Sequence, residues 1–271
     1  MAAMLALLAA LILYNTPAIL APVASWANPI SGARAYELEP PVAFISDLHV
    51  GGGFIPELKQ ALKEVSPKAV VVVGDLVDEA SYFHGKLNSS LEALLREARL
   101  EGYEVYWVTS MFHDPEVKPG TYGKLHVVGR TGIFRVGEVT IVAHHGETAC
   151  KLGPLALGAS YALGKLGLKL PLEKLWRKLC RIPESWWVIF GHSHLAEIDQ
   201  KWRVANTGSW RKLPKVIPHS ERTMIIADGS SLKLAIFNPP QPQQSNTAAT
   251  NIEDTKHNKP QLQPHPTEPT S

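Results

Sequence analysis

Cysteine is nearly absent. Cys150 and Cys180 are the only two in 271 residues, and neither lies in a CxxC pair. That excludes a disulfide framework and a thiolate zinc site. Buried thiols are expected, with a single bridge left open for a domain outside the cytoplasm. Charge of one sign is lacking too: a formal net charge of +2 is too small to point to nucleic acid by itself. No charged residue precedes Arg34, and M-A-A-M-L-A-L-L-A-A-L-I-L-Y at the start is apolar throughout. The run is shorter than the roughly 20 residues of a membrane span and suits a signal-peptide core, with Ser25-Trp26-Ala27 as a small-x-small cleavage site. Because the first basic residue lies beyond it, an uncleaved anchor with a cytoplasmic domain is the other reading. Residues 1–27 are therefore expected to be a signal peptide or anchor, and the protein to be membrane-associated on a side left open. Residues 239–271 hold seven prolines and only Ile252 and Leu262 as large aliphatics. Such a tail buries too little apolar surface to offset the entropy of ordering, and disorder is expected there. His257 and His265 belong to its composition rather than to a site.

The remaining residues, 28–238, belong to a chain that is 45% apolar, enough for one sizeable core. Within them one pattern recurs. P-V-A-F-I-S runs into Asp47-Leu48-His49, A-V-V-V-V-G into Asp75-Leu76-Val77-Asp78, and E-V-Y-W-V-T-S into Met111-Phe112-His113-Asp114. V-T-I-V-A runs into His144-His145-Gly146, and W-W-V-I-F-G into His192-Ser193-His194. The near-continuous apolar runs predict strands buried on both faces. I-P-E-L-K-Q-A-L-K-E-V and L-E-A-L-L-R-E-A-R-L between the first three have the three- and four-residue apolar spacing of helices packed on a sheet. Short strands follow in quicker succession after residue 123, which predicts a second, more antiparallel sheet. The expected fold is a layered α/β domain.

In such sheets, sites form at the carboxyl ends of strands. One Asp after a strand is ordinarily a turn or helix-cap residue, and Asp78 fits that reading. Five strands that each end in Asp or His point instead to one shared site. The i,i+2 spacing of Asp47 with His49, and of His192 with His194, lets one turn present two ligands while the residue between points away. Oxygen and imidazole donors without sulfur suit Mn, Fe or Zn, with no choice among them.

These blocks, in this order, resemble the calcineurin-like metallophosphoesterase superfamily over residues 42–210: D-L-H, G-D-L-V-D, a partial F-H-D, H-G and G-H-S-H, followed by N-T-G-S at 206–209. The resemblance implies a metal-dependent phosphoesterase that uses a metal-activated water, built on a layered β-sandwich flanked by helices. It implies two divalent metal ions bridged by Asp75. Asp47, His49 and His194 would complete the first site, and His145 and His192 would serve the second. It assigns His113 to the leaving group and Asp114 to orienting His113. The family places an Asn ligand of the second metal where this chain has Phe112, whose ring has no donor atom. The second site is therefore expected to be weaker and the activity altered rather than lost. Ser110 and His144 are the nearby side chains that could take the vacant place.

Between the fourth and fifth blocks, residues 151–182 form an insert. Up to Arg181 it carries seven basic residues against one acid, Glu173. Its periodicity predicts a basic amphipathic helical hairpin, with Leu152, Leu155, Ala156, Ala159 and Leu163 on one apolar face. A second such face holds Leu172, Leu175, Trp176 and Leu179, opposite Lys174, Arg177, Lys178 and Arg181. Lys174, Arg177, Lys178 and Trp176 are the expected contacts to substrate or to a membrane surface. The insert's position resembles the helical lid of the family branch that cleaves UDP-diacylglucosamine, although that branch has Arg at the place of His113. A phosphorylated substrate is implied, a lipid-linked one being the leading expectation. A nuclease on the same centre is disfavoured by the Leu-rich insert, because an open basic and aromatic groove is wanted for nucleic acid. A non-catalytic scaffold for a protein partner is the third reading.

Overall fold

The computed structural model describes residues 30–50, 57–78, 91–150, 152–211 and 220–237. The N-terminal apolar segment and the Pro-rich tail lie outside them. By contacts the chain divides at Pro239, and the domain described here lies in the first unit.

Strand β3, Ala69–Val73, is buried at every residue, which requires cover on both faces. Val70 and Val72 pack with Leu58, Leu62, Leu94 and Leu95 of two helices, α1 (Leu58–Val65) and α2 (Leu91–Glu97). Val71 and Val73 face Phe134, Ile141 and Ile189 of another sheet. Each such side chain taken wholly out of water contributes roughly 1.5–3 kcal/mol. Helix α1 turns Leu58, Ala61 and Leu62 inward and stops at Ser66, which is left-handed and followed by Pro67.

The sheet containing β3 has seven strands. Its parallel centre is β2 (Val42–Ile45), β3, β4 (Glu104–Val108) and β6 (Leu125–Gly129). Antiparallel edges come from β5 (Gly120–Tyr122) on one side and from β12 (Thr223–Ala227) and β13 (Leu232–Ile236) on the other. The facing sheet has six strands in the order β1 (Arg34–Leu38), β7 (Thr131–Val136), β8 (Val139–His144), β9 (Trp187–Phe190), β11 (Val204–Asn206) and β10 (Glu197–Asp199). Only β7–β8 and β10–β11 are antiparallel in it, whereas β1–β7, β8–β9 and β9–β11 are parallel. The expected antiparallel character is thus corrected. A parallel neighbour needs a long crossover, and the insert is that crossover between β8 and β9.

The insert forms helices α3 (Gly153–Lys165) and α4 (Pro171–Leu179). Trp176, Cys180, Leu170 and Ile182 pack on Val142, Val188, Phe190 and Val204 of the six-stranded sheet. The result is four layers: helices, sheet, sheet, helices. The predicted faces of α4 are corrected. Glu173, Trp176 and Arg177 point inward, with Cys180 just beyond the helix, while Leu175 and Leu179 are exposed. The sheet edge beneath offers carbonyls and amides, and it selects a donor and an acceptor over leucines. Cys150 and Cys180 are both buried thiols. No helix among the described residues is long and apolar enough to cross a membrane.

Candidate metal centre

All five ligand-bearing segments leave the carboxyl ends of their strands at one place, between the two sheets. The loops after β2 and β3 run side by side: Asp47 N donates to Gly74 O (3.2 Å), His49 N to Asp75 O (3.0 Å) and Val50 N to Leu76 O (2.9 Å). Leu48 and Leu76, the residues between, are fully buried in the helix-side core. The alternation of ligand and core residue is achieved by left-handed backbone. Asp47, His49, Asp75, His192 and His194 all have φ between 49° and 63°. Outside glycine this conformation costs roughly 1–2 kcal/mol per residue, so five cases at one spot are strain held in place by the surrounding fold. Gly191 must lack a side chain, because a Cβ there would stand 2.5 Å from Ser46 Oγ and 2.7 Å from Asp47 Oδ2.

Asp75 faces two imidazoles with its two oxygens, Oδ1 to His145 Nε2 at 3.2 Å and Oδ2 to His49 Nε2 at 3.7 Å. Asp47 Oδ1 stands 3.6 Å from His194 Nε2 and 4.0 Å from His145 Nε2. Three sets of side chains lie close enough to hold an ion: Asp47, His49 and His194; Asp47, Asp75 and His145; His49, Asp75 and His113. The fit to a metal is carried by atoms with no other use. Asp47 Oδ1, Asp75 Oδ1, both nitrogens of His49, His145 Nε2 and His194 Nδ1 are buried without a hydrogen-bond partner. Such groups are costly to bury unless something binds them. His145 Nδ1–H donates to the Val73 carbonyl (2.9 Å), which leaves Nε2 as its donor atom. His192 joins none of the three sets. Its ring lies 5.1 Å from that of His145, its backbone N–H donates to Asp47 Oδ2 and its Nε2–H to the Cys150 carbonyl, so that Nδ1 is the nitrogen left over.

Electrostatics support a site built for positive charge. Burial would raise the Asp75 carboxyl, but the charges of His145, His113 and His49 together outweigh it and hold the group well below the usual range. Burial likewise opposes charge on His145, yet Asp75 and Asp47 carry its pKa well above the ordinary value. Burial lowers His49 and His192 to about 4, with the charge of His145 adding to the effect at His192.

The segment after β4 departs from its expected role in part. His113 is exposed at the mouth, its ring 5.5 Å from that of His49. Asp114 was expected to orient His113, but its oxygens are taken by four other donors: Ser110 N (2.7 Å), Asp75 N (3.1 Å), Val77 N (3.2 Å) and Trp107 Nε1 (3.2 Å). It fixes the backbone of Asp75 instead. Burial and the Asp75 charge push its pKa up to about 6. Ser110 Oγ accepts from His113 N and Asp114 N. His144 is bound at both nitrogens, by the Arg130 carbonyl (2.8 Å) and Thr148 Oγ1 (2.7 Å), and stacks on Trp176. Neither Ser110 nor His144 has a free atom for the place left by Phe112.

Of the expected outer contacts, three are engaged elsewhere. Trp176 is buried and donates to Thr148 Oγ1. Arg177 is buried and donates to the carbonyls of Trp186, Pro183 and Arg203, a structural duty at the ends of strands and turns. Lys174 pairs with Asp199 at 2.6 Å. Lys178 is left exposed. Several residues escaped the sequence reading. Glu173 accepts from Ser193 Oγ and Asn206 Nδ2, tying the insert to the H-S-H turn. Thr207 Oγ1 bonds Ser46 Oγ, whose other partners are the Asp47 carboxylate and the Gly208 carbonyl. Glu147 lies buried beside His145. The N-T-G-S turn was the signal for Asn206 and Thr207; Glu173 and Glu147 carried none.

Architecture and donor set together define a metal-binding α/β sandwich. The model of the calcineurin-like phosphoesterase family matches residues 40–109, the stretch that holds Asp47, His49 and Asp75. No curated protein matches the chain. Solved structures similar to it include a predicted phosphoesterase of Streptococcus pneumoniae TIGR4, with 14% identity, a TM-score of 0.40 and coverage of 73% of this chain and 88% of that one. The phosphoesterase Yfce of E. coli has 14% identity and a TM-score of 0.41, covering 73% and 100%. An archaeal phosphodiesterase has 14% and 0.39, again covering 73% and 100%. Over residues 40–109 the chain is similar to calcineurin-like phosphoesterases.

Proposed function

We propose that the chain is a dinuclear metal-dependent phosphoesterase that acts at a membrane surface on a phosphoester or pyrophosphate of a lipid-linked substrate. The observation that carries the hydrolytic part is the convergence of buried, unpartnered donor atoms from Asp47, His49, Asp75, His145 and His194. Two bound divalent cations would polarise the phosphoryl oxygens and lower the pKa of a water between them. The chain's own residues would do the rest. Asp75 holds the two halves of the donor set in register, with one oxygen toward each. Asp114 locks the Asp75 backbone. His113, exposed beside the cluster, would donate a proton to the leaving oxygen. Hydrolysis of bis-p-nitrophenyl phosphate is expected to rise with added Mn²⁺ and to vanish with chelator. Turnover indifferent to chelator would sink this reading.

The lipid part rests on the insert. Leu166 is 78% exposed and Leu168 54%, with Leu155, Leu175 and Leu179 also outward. Lys165, Lys169, Lys178 and Arg181 are exposed with them, while Glu173, the acid of this segment, is buried. Outward leucines among exposed cations, of which Lys169 is paired with Glu197 at 2.6 Å, suit an anionic bilayer surface. Together with the apolar N-terminal segment, they favour a membrane-associated enzyme. Vesicles of phosphatidylglycerol are expected to capture the protein, and a Leu166→Glu, Leu168→Glu variant is expected to lose several-fold in capture while keeping turnover of the soluble ester. Equal capture of both proteins would remove this face from the proposal.

A further inference from the structure

Strands β9 and β11 are parallel neighbours, so their amino ends lie side by side. Their carboxyl ends lead to His192 and to the N-T-G-S turn, which puts the amino ends on the order of 20 Å from the metal centre at about 3.3 Å per residue. There, beside the C terminus of α4, a cavity of about 710 Å³ opens. That volume falls within the range of small-molecule sites, roughly 300–1,000 Å³. Five cations line it, Arg177, Lys178, Arg181, Lys201 and Arg203, against one acid, Glu184. Lys178, Arg181 and Lys201 are exposed, and none of them has an ion pair among the described residues. Arg177 and Arg203 donate to the carbonyls of Trp186, Pro183 and Ser185, which orients them without neutralising them. Burial and the charge of Arg203 hold Arg177 below its ordinary pKa, with Glu184 acting the other way. The C terminus of α4 offers only about half a negative charge, too little to balance this excess. Trp202 lines the same cavity and is 43% exposed.

We propose that this cavity is a second ligand site and that it binds a nucleoside phosphate, with the phosphates among Lys178, Arg181 and Lys201 and the base on Trp202. Ammonium and guanidinium groups hold phosphate through charge-assisted hydrogen bonds. A base stacks on an aromatic ring whatever its identity, because every base has a π-face. Lys174 Nζ stands 5.7 Å from the centroid of the Trp202 ring, so the base takes the opposite face. Inorganic phosphate or a lipid headgroup would answer the cations but leave the indole uncovered. The lining holds no histidine and a single carboxylate, so the site binds rather than hydrolyses. It needs neither the metals nor a bilayer.

Isothermal titration calorimetry of adenosine diphosphate into the full chain, with chelator present, tests this apart from the metal centre. Salt at about 0.15 M screens loose contacts between exposed charges. One nucleotide is expected to bind per chain, more tightly than inorganic pyrophosphate or glycerol phosphate, which carry the anion without the ring. Trp202→Ala is expected to weaken the nucleotide about fivefold or more while leaving pyrophosphate unchanged, a selective loss that an unfolded variant could not give. An Arg181→Glu, Lys201→Glu variant is expected to weaken both ligands at least about tenfold, with its circular dichroism unchanged. The same change of charge at the exposed Lys63 and Lys124 is expected to leave both as they were. Absence of nucleotide binding would overturn the site, as would equal losses in the two charge variants or none in either. Nucleotide and pyrophosphate held equally, with no effect of Trp202→Ala, would overturn the nucleoside assignment in favour of a bare phosphate or a headgroup.

Discussion

Asp75→Asn is expected to abolish metal-dependent turnover of bis-p-nitrophenyl phosphate, lowering kcat by roughly 10³-fold or more, because several kcal/mol of transition-state charge stabilisation goes with the metals. The substitution keeps the shape but removes the charge and one of two oxygens, and those oxygens face His145 and His49 on opposite sides. The loop should survive. Its bonds run through the backbone, from Asp75 N to Asp114 and from His49 N to Asp75 O. Circular dichroism should therefore be unchanged while bound metal falls. The metal-free protein gives a second readout. With the Asp75 charge gone, burial is less opposed at His145, and the pKa of that residue, now held well above its ordinary value, is expected to fall on titration by NMR. Turnover by Asp75→Asn at the parental rate would sink the assignment of the bridge.

His113→Ala is expected to lower kcat by roughly 10²–10⁴-fold on substrates whose leaving group is an alkoxide, with little change in KM or metal content. The ring is exposed and sits at the mouth beside His49, so it can reach a leaving oxygen. Its other possible use is as a ligand, since it also lies within metal-binding reach of His49 and Asp75. The leaving group separates the two roles. A p-nitrophenolate departs with little need of a proton, so a proton donor's loss should be much milder on p-nitrophenyl esters than on alkyl esters. Equal losses on both, accompanied by loss of a bound ion, would make His113 a ligand instead.

Much of the centre was legible because its signals are local. An apolar run that ends in Asp or His declares both a strand and its exit, and Asp47, His49, Asp75, His145 and His194 were each readable in that way. The left-handed backbone at these residues was not. Nothing in D-L-H or H-S-H demands it, and it exists because two neighbouring loops hydrogen-bond to each other across the sheet. The role of Asp114 was misread for a related reason. Two of the four donors it satisfies, Asp75 N and Val77 N, come from the loop after β3, which only strand pairing brings near it.

Alternation, strand ends and helix spacing determined from sequence alone that the chain would stack helices on sheets and bring five strand ends, with their carboxylates and imidazoles, to one site. These features depend on residues a few positions apart, where periodicity is a sufficient guide. Tertiary structure alone decided what faces inward on α4, where Arg177 and Glu173 displaced leucines because strand-end carbonyls and the Ser193–Asn206 pair needed partners. It also decided that the second sheet is largely parallel and that Glu147 stands beside Met111. Each of these outcomes is set by polar groups meeting across long stretches of chain, and the cost of leaving one buried and unmatched exceeds what local hydrophobic pattern can specify.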